Sequence, residues 1–385
     1  MGVDLSKKKV LFVCSSFPYP IDDGIKKIVS ELIQVSLLKK NDVTLIVPFS
    51  SFSLKYMNQI KVINYNKSKT VVSMFLDLLK LNPLYFSLYL DKNFPFIEKN
   101  NYDFIFYDFY PMTQYSSGLK NEIFMMPDSM KQLAYSNFKN EKNIIRKIYS
   151  FVNYLLSARY NTKIKNLKKL YVSKEDIKRD NLKNSYYFKI PMDSTNLDSY
   201  QNNAFIKNEL LFRGVMSFEP NITAVENFYG DIFLDLSKKY PNITFKVVGK
   251  DPSENLKKRL NKNTIFTGFV DDMMDVMSRS GIHVAPIYSG TGVKTKILDS
   301  IALKRLVMTT PKGIGGIFEN IEEARENGVI VFENKEEFFN YYDEIINNNI
   351  DYAQMTEKAY KFLNKETYSK KIDELFEIAK KEIVL

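Results

Sequence analysis

The sequence predicts two tandem α/β domains, each a doubly wound, Rossmann-like parallel sheet, and three observations carry that prediction. The chain has 385 residues, and single cores usually stop growing near about 250 residues and split. Short apolar runs alternate with segments of helical period, the pattern of strands buried on both faces between crossover helices. That pattern lapses over Met192–Lys207, which is polar and aperiodic, and restarts at Leu210. A 45% hydrophobic content with only 14 Gly and 13 Pro provides for two cores and excludes collagenous or low-complexity chains.

Lys9–Cys14 is a continuous apolar run ending in a Ser-Ser-Phe-Pro-Tyr-Pro loop, and Gly24–Leu38 follows with apolar residues at helical spacing. Val43–Pro48, Lys61–Tyr65, Phe104–Tyr107 and Ile123–Met126 read as further strands. Asn140–Leu167 is helical by period and rich in Lys and Arg. Strand-like Leu170–Ser173 comes next, then extended Tyr186–Ile190, which stops at Pro191. The first domain is therefore set at residues 1–192, with 193–207 as a polar linker. The second, at 208–364, reads as strands Leu210–Phe212, Thr244–Gly249, Thr264–Thr267, His283–Ile287 and Leu306–Thr309 between helices. A helix over 365–385 is expected to pack back toward the first domain. Such folds bind ligands at the carboxyl ends of their strands, so a cleft between the two domains is the expected site.

The net charge of +10 and pI near 9.1 imply an affinity for anions: nucleic acid, an anionic membrane surface or phosphorylated small molecules. Most of the positive charge is Lys, a hydrated point charge poorly suited to bidentate base reading, which argues against nucleic acid as the partner. The one cysteine, Cys14, leaves no internal disulfide to form. Neither it nor the one histidine, His283, has neighbours at metal-ligand spacing, so no metal site is expected. The apolar run near the N-terminus is short and leads straight into Pro-Tyr-Pro, which reads as a first strand and not as a signal peptide. A cytoplasmic protein is expected, peripheral at most on the inner face of the plasma membrane.

In the second array the stretch Ala285–Asp299 leaves a buried strand, turns through Gly290-Thr291-Gly292 and enters a helix at Val293. Free backbone N–H groups and the helix dipole make an anion site there, and glycines allow a phosphate close approach. Lys294 and Lys296 fall in the first turn, a position unfavourable for cations unless an anion is present. Asp299, about a turn and a half further on, is placed to accept hydrogen bonds from ribose hydroxyls. A Gly-x-Gly turn alone is equally an ordinary strand-to-helix connection with solvated lysines.

The surrounding text resembles the donor-binding domain of glycosyltransferase family four. The matching pieces run in order: Phe212-Arg213-Gly214-Val215-Met216, Glu219–Val225, Tyr240-Pro241-Asn242, Val247-Val248-Gly249, Phe266–Asp272, Ala285-Pro286, Gly290–Asp299 and Gly313-Ile314-Gly315-Gly316. They cover roughly residues 210–316. The resemblance implies the two-domain GT-B fold, with Gly268, Phe269 and Val270 lining the nucleotide base, Gly290, Thr291, Gly292, Val293 and Lys294 the pyrophosphate, and Asp299 the ribose. Relatives usually carry Glu at the position of Asp299, and an acidic residue near the donor sugar at that of Thr291. Asp22-Asp23-Gly24-Ile25-Lys26 resembles the family's cleft loop of the acceptor domain, with Ile25 where relatives place a second glycine. Asp128, in Met126-Pro127-Asp128-Ser129, matches an Asp-Ser pair after a strand; it is a catalytic candidate or a helix N-cap.

By that resemblance the activity is transfer of a sugar from a nucleoside-diphosphate sugar, UDP- or GDP-linked, to a hydroxyl of a glycan, lipid-linked or protein acceptor. The transfer is expected to retain anomeric configuration and to need neither metal nor cofactor, in the synthesis of bacterial surface polysaccharide. Backbone amides with Lys294 and Lys296 are then the means of stabilising the leaving diphosphate. A sugar-nucleotide epimerase of the same architecture, and a non-catalytic subunit partnering an active transferase, stay open. His283, inside a buried strand, reads as a satisfied core histidine and Cys14 as a small buried hydrophobe. The basic segment Lys139–Lys169 interleaves charge with Ile144, Ile145, Ile148, Phe151, Val152, Leu155 and Leu156. It is either a packed surface helix or a contact for an anionic membrane surface or lipid-pyrophosphate acceptor.

Overall fold

The computed structural model describes residues 7–21, 23–50, 57–66, 80–89, 94–141, 143–192, 197, 200, 204–260, 262–288, 293–365 and 367–383. The chain divides into two compact units, Met1–Ile190 with Tyr368–Leu385, and Pro191–Thr367. The stretch read as a linker is counted with the second unit, and what is described of it is anchored there. Arg305 donates to the carbonyls of Ala204 and Tyr200, and Phe205 stacks on Tyr352 with ring centroids 3.8 Å apart.

The first unit is a seven-stranded sheet in the order β3-β2-β1-β4-β5-β6-β7. Its strands are β1 (Lys9–Val13), β2 (Asp42–Pro48), β3 (Lys61–Tyr65), β4 (Phe104–Tyr107), β5 (Glu122–Met126), β6 (Lys168–Tyr171) and β7 (Ser185–Tyr187). Every pairing is parallel. The chain winds outward from β1 to β3, then crosses back to lay β4 on the other flank of β1, so the order reverses between β1 and β4. Leu11, Val13, Ile105, Tyr107 and Phe124 are fully buried, as continuous apolar runs require. Its helices are α1 (Gly24–Leu38), α2 (Met130–Asn140), α3 (Ile144–Lys163) and α4 (Lys174–Asp180). The C-terminal helix Tyr368–Lys380 also belongs to this unit, with Phe376 against Phe104 and Asp373 bonded to Lys39 at 2.8 Å.

Two elements differ from the sequence reading. The helix expected over Asn140–Leu167 runs from Ile144 to Lys163, because the Asn143 side chain accepts from the Ile145 and Arg146 N–H groups and starts it there; the separate α2 before it has no counterpart in the sequence reading. Strand β6 begins at Lys168, two residues early, because Lys168 and Lys169 are buried with their amines on carbonyls. Lys168 Nζ meets Ala379 O at 2.8 Å, and Lys169 Nζ meets Ile164 O, Lys165 O and Leu167 O at the end of α3.

The second unit repeats the plan with six parallel strands in the order β10-β9-β8-β11-β12-β13. They are β8 (Glu209–Arg213), β9 (Thr244–Val248), β10 (Thr264–Gly268), β11 (Ile282–Ala285), β12 (Leu306–Thr309) and the two-residue β13 (Ile330–Val331), too short for a periodic signal. Its helices are α5 (Glu219–Phe228), α6 (Leu234–Lys239), α7 (Glu254–Arg259), α8 (Met273–Ser278), α9 (Thr295–Ala302), α10 (Ile321–Glu326), α11 (Lys335–Ile346) and α12 (Tyr352–Leu363). A π-helical turn, Tyr229–Phe233, joins α5 to α6. Here the strand order reverses between β8 and β11, and doubly wound sheets bind ligands outside the strand ends at such a reversal.

Candidate functional site

Arg213 is the last residue of β8, at that reversal. Its Nη1 donates to Oδ2 of Asp299, a carboxylate only 2% exposed on α9. Lys296, in the first turn of α9, donates from Nζ to Asn221 Oδ1 at 2.8 Å and lies 4.2 Å from the Phe212 ring centroid. Asn221 is itself held, donating through Nδ2 to Val215 O at 3.0 Å. Its side chain lies so close over Gly214 that a Cβ there would meet it at 2.7 Å. Burial, then the charges of Arg213 and Lys294, lower the Lys296 amine to about 7.

Among the described residues this cluster sets three cationic side chains, Arg213, Lys294 and Lys296, against one carboxylate, Asp299. The helix they surround has Lys294 at its N-cap with no side-chain cap hydrogen bond and no acidic residue in its first turn. An uncapped helix start ringed by cations is unfavourable in isolation and becomes favourable around an anion. That combination suits an anion.

Beside it, three adjacent strands close on glycine. Gly214 follows β8, and Gly249 follows β9 at φ 144°, where a Cβ would lie 2.0 Å from Gly214 O. Gly268 ends β10 at φ 69°, its carbonyl accepting from Gly249 N–H at 3.2 Å, with open space where its Cβ would stand. Gly214 is covered by the Asn221 side chain and Gly249 by the Gly214 backbone, so these two permit close packing, and Gly268 alone leaves a bare backbone ledge that a planar ligand can approach to van der Waals distance. Next to it Phe269 is 73% exposed, while Val270 and Val293 are half-buried. Gly290, Thr291 and Gly292, expected to cradle a pyrophosphate, lie outside the described residues.

His283 is a structural link behind the cluster. Its Nε2 meets Met277 O at 2.9 Å and its Nδ1 meets Ser300 Oγ at 2.6 Å, tying β11 to α8 and α9. Burial, with the charges of Arg305 and Arg213, lowers its pKa to about 3. The ring is therefore neutral, its Nε2–H donating to the Met277 carbonyl, while the Ser300 hydroxyl stands between Nδ1 and the Lys296 carbonyl. A small cavity lined by Arg213, His283, Lys296 and Ser300 separates it from the cations.

The first unit supplies the other expected residues. Gly24 begins α1, and the Asp23 carboxylate caps that helix by accepting from Lys26 N–H at 2.8 Å. Asp128 is half-buried beyond β5, but the N-cap of α2 is Ser129, whose hydroxyl accepts from Gln132 N–H. The reading of Asp128 as that cap is thereby corrected: the helix starts one residue later. Asp128 stands near Asp176, whose carboxyl is pushed up to about 6 by burial and then by Asp128 and Asp180. At the β1/β4 reversal, buried Asp108 accepts from Ser15 N–H at 2.8 Å and from Ser15 Oγ–H at 3.0 Å. Burial and then Asp108 push the Cys14 thiol up, so it stays protonated and unreactive.

The structure thus brings together Lys294, Lys296 and Asp299 in one unit, with Gly268 ending a strand of the same sheet, and leaves Asp23, Gly24 and Asp128 in the other. Arg213, Asn221 and Asp108 carry no role in the sequence reading. The usable signal for Arg213 was a charge closing an apolar run just before a glycine.

Residues 207–348 match the family described as Glycosyl transferases group 1. Over 94% of its length the chain is 24% identical to 97% of an "uncharacterized 44.6 kDa protein in cps region" of Klebsiella pneumoniae. Among solved structures it resembles WaaG, a glycosyltransferase involved in lipopolysaccharide biosynthesis, with a TM-score of 0.62 at 14% identity, covering 97% of this chain and all of that one. It also resembles Anabaena Alr3699/HepE in complex with UDP and glucose, with a TM-score of 0.59 at 12% identity over 95% and 97% of the two chains. At these identities the structural likeness speaks for the fold, which is GT-B.

Proposed function

We propose that this chain, which has the GT-B fold and whose second unit carries the group 1 family sequence, is a glycosyltransferase that moves a sugar from a nucleoside-diphosphate sugar to an acceptor hydroxyl in surface polysaccharide synthesis. The observation that carries the donor class is the Arg213, Lys294 and Lys296 cluster around the uncapped start of α9. The cps-region relative and the UDP-bound neighbour support the setting and the nucleotide.

The diphosphate sits on the cations and the α9 N–H groups, with the base on the glycine ledge near Gly268, Phe269 and Val270. As the bond from the anomeric carbon to the diphosphate oxygen breaks, negative charge grows on that oxygen, and fixed cations stabilise the transition state more than the ground state. The acceptor oxygen bonds to the anomeric carbon on the face the diphosphate leaves, and its proton passes to the departing phosphate. Configuration is retained, and Arg213 and the lysines supply the charge that a divalent metal supplies elsewhere. In this reading Asp299 holds the Arg213 guanidinium in place; the ribose contact expected of it from sequence gives way to that task.

The test is a donor panel of UDP- and GDP-sugars with the full chain, following nucleoside diphosphate release in the presence and absence of EDTA. Release that persists in EDTA, with a product of unchanged anomeric configuration by NMR, is expected. An epimerised free sugar, or no turnover with any donor despite tight nucleotide binding, would replace the proposal with an epimerase or a non-catalytic subunit respectively.

A further inference from the structure

Helix α3 has apolar residues on both sides. The side it turns to its own unit buries Leu156 and Tyr160, and with them three polar side chains, Asn153, Ser157 and Asn161. Each is hydrogen-bonded there: Asn153 Oδ1 accepts from Leu84 N–H at 2.8 Å, Ser157 Oγ meets Tyr85 OH at 3.3 Å, and Asn161 Oδ1 accepts from Tyr110 OH at 2.9 Å. The opposite side carries Ile144, Ile145, Ile148 and Leu155, exposed by 66, 75, 57 and 50%, with Phe151 and Tyr149 also exposed between them. Positions 144, 148, 151 and 155 follow helical spacing, so they form one stripe. A helix facing water on its outside carries polar residues there, and a contiguous exposed apolar stripe of this kind marks a surface that another apolar phase covers.

The charge around the stripe identifies that phase. Helix α3 contains Arg146, Lys147, Arg159 and Lys163 and no acidic residue, and α2 adds Lys131 and Lys139, also without an acid. Over residues 130–163 the sequence has seven Lys and Arg against one Glu, a net charge of +6 out of the chain's +10. Lys131 of α2 pairs with Asp180 at 3.7 Å, but on α3 itself aliphatic and aromatic side chains interleave with basic ones and no acidic one, and such a helix lying along the surface suits the interface of an anionic bilayer. The apolar side chains enter the acyl boundary there, and the cations meet lipid phosphates. No described helix is long and apolar enough to cross a membrane, so this contact lies on the bilayer.

We propose that the outer face of α3, from Ile144 to Leu155, docks the protein on an anionic lipid surface. The test is co-sedimentation of the full chain with vesicles of phosphatidylcholine alone and with about one third phosphatidylglycerol. Wild type is expected to bind the anionic vesicles, to bind them less as salt rises, and to remain largely in solution with phosphatidylcholine. Ile145→Glu/Ile148→Glu should lower binding to anionic vesicles by about tenfold or more, with the melting temperature and nucleotide affinity unchanged. Ile145→Ser/Ile148→Ser serves the same purpose should the acidic pair disturb folding, and Arg146→Glu should give a smaller loss that high salt abolishes. Variants that bind like wild type, or wild type that binds neither vesicle, would overturn the proposal. So would a concentration-dependent dimer dissolved by the same substitutions, which would make a second copy the occupant of the face.

Discussion

The two sheets wind in the same order, yet the points at which their strand order reverses carry opposite chemistry. In the first, the strand ends hold Ser15 bonded to buried Asp108, and α1, which follows, is capped by the Asp23 carboxylate. In the second, β8 ends on Arg213, and α9 begins uncapped between Lys294 and Lys296. A capped helix has already spent its N-terminal field on its own side chain, whereas an uncapped one with cations beside it is stabilised by an anion from outside. Common topology therefore does not fix which half takes the diphosphate; a few residues after the strands do.

Removing Arg213 is the largest way to break the contrast. Arg213→Met should weaken nucleoside diphosphate binding by roughly ten- to a hundredfold and lower kcat/KM further, since a charged hydrogen bond to the leaving group is lost. It also removes the Arg213 ion pair from buried Asp299, so part of the effect will be lost stability. Arg213→Met/Asp299→Asn should recover the melting temperature without recovering affinity by calorimetry. Wild-type affinity in that double variant would remove the cluster from the donor site.

Lys294 and Lys296 come next. Replacing either with Met keeps the stem and deletes the charge, and loss of whichever amine touches the bridging oxygen should lower kcat by roughly ten- to a thousandfold, with a smaller change in nucleotide affinity. Lys296 also gives a pH signature. Its amine sits near 7 because burial and neighbouring cations disfavour the charged form, and a bound diphosphate favours that form and raises it. Binding then takes up a proton, so affinity should fall as pH rises above about 7, by at most about tenfold per unit for one group. The slope should vanish in Lys296→Met; a flat profile in wild type would mean that the diphosphate does not reach this amine.

The chemistry of the second reversal was more legible in the sequence than that of the first. Loop, helix start, Lys294, Lys296 and Asp299 lie within one stretch, so local rules about glycine turns and helix dipoles find them together. Arg213 and Asn221 stand 86 and 75 positions from the partners they bond, and only the folded sheet joins them. Most strands were readable from apolar runs, but the two-residue β13 was too short to show one, and a buried polar group broke the pattern at β6: Lys168 and Lys169 look like surface charge until the carbonyls around their amines are known. Likewise, α3 shows an amphipathic period in sequence, but period alone does not say which face turns inward. The buried partners of Asn153, Ser157 and Asn161 decide it.

The smallest expected effect sharpens the comparison from the capped side. The sequence reading placed Asp23 and Gly24 in the cleft loop of the acceptor domain, and the structure gives the Asp23 carboxylate the work of capping α1. These roles separate by substitution, because Asn caps a helix about as well as Asp while carrying no charge, and Ala does neither. Asp23→Ala should cost about 1 kcal/mol, a downward shift of about 2–4 °C in the melting temperature for a unit of this size. Asp23→Asn should be close to neutral in stability. If capping is the whole role, kcat and donor KM stay at wild-type values in both variants. If the negative charge instead acts on bound substrate, Asp23→Asn changes kcat or KM while leaving the melting temperature alone. That outcome would show that the first unit's helix start takes part in the reaction despite its cap, and the contrast between the two strand-end regions would then be one of degree.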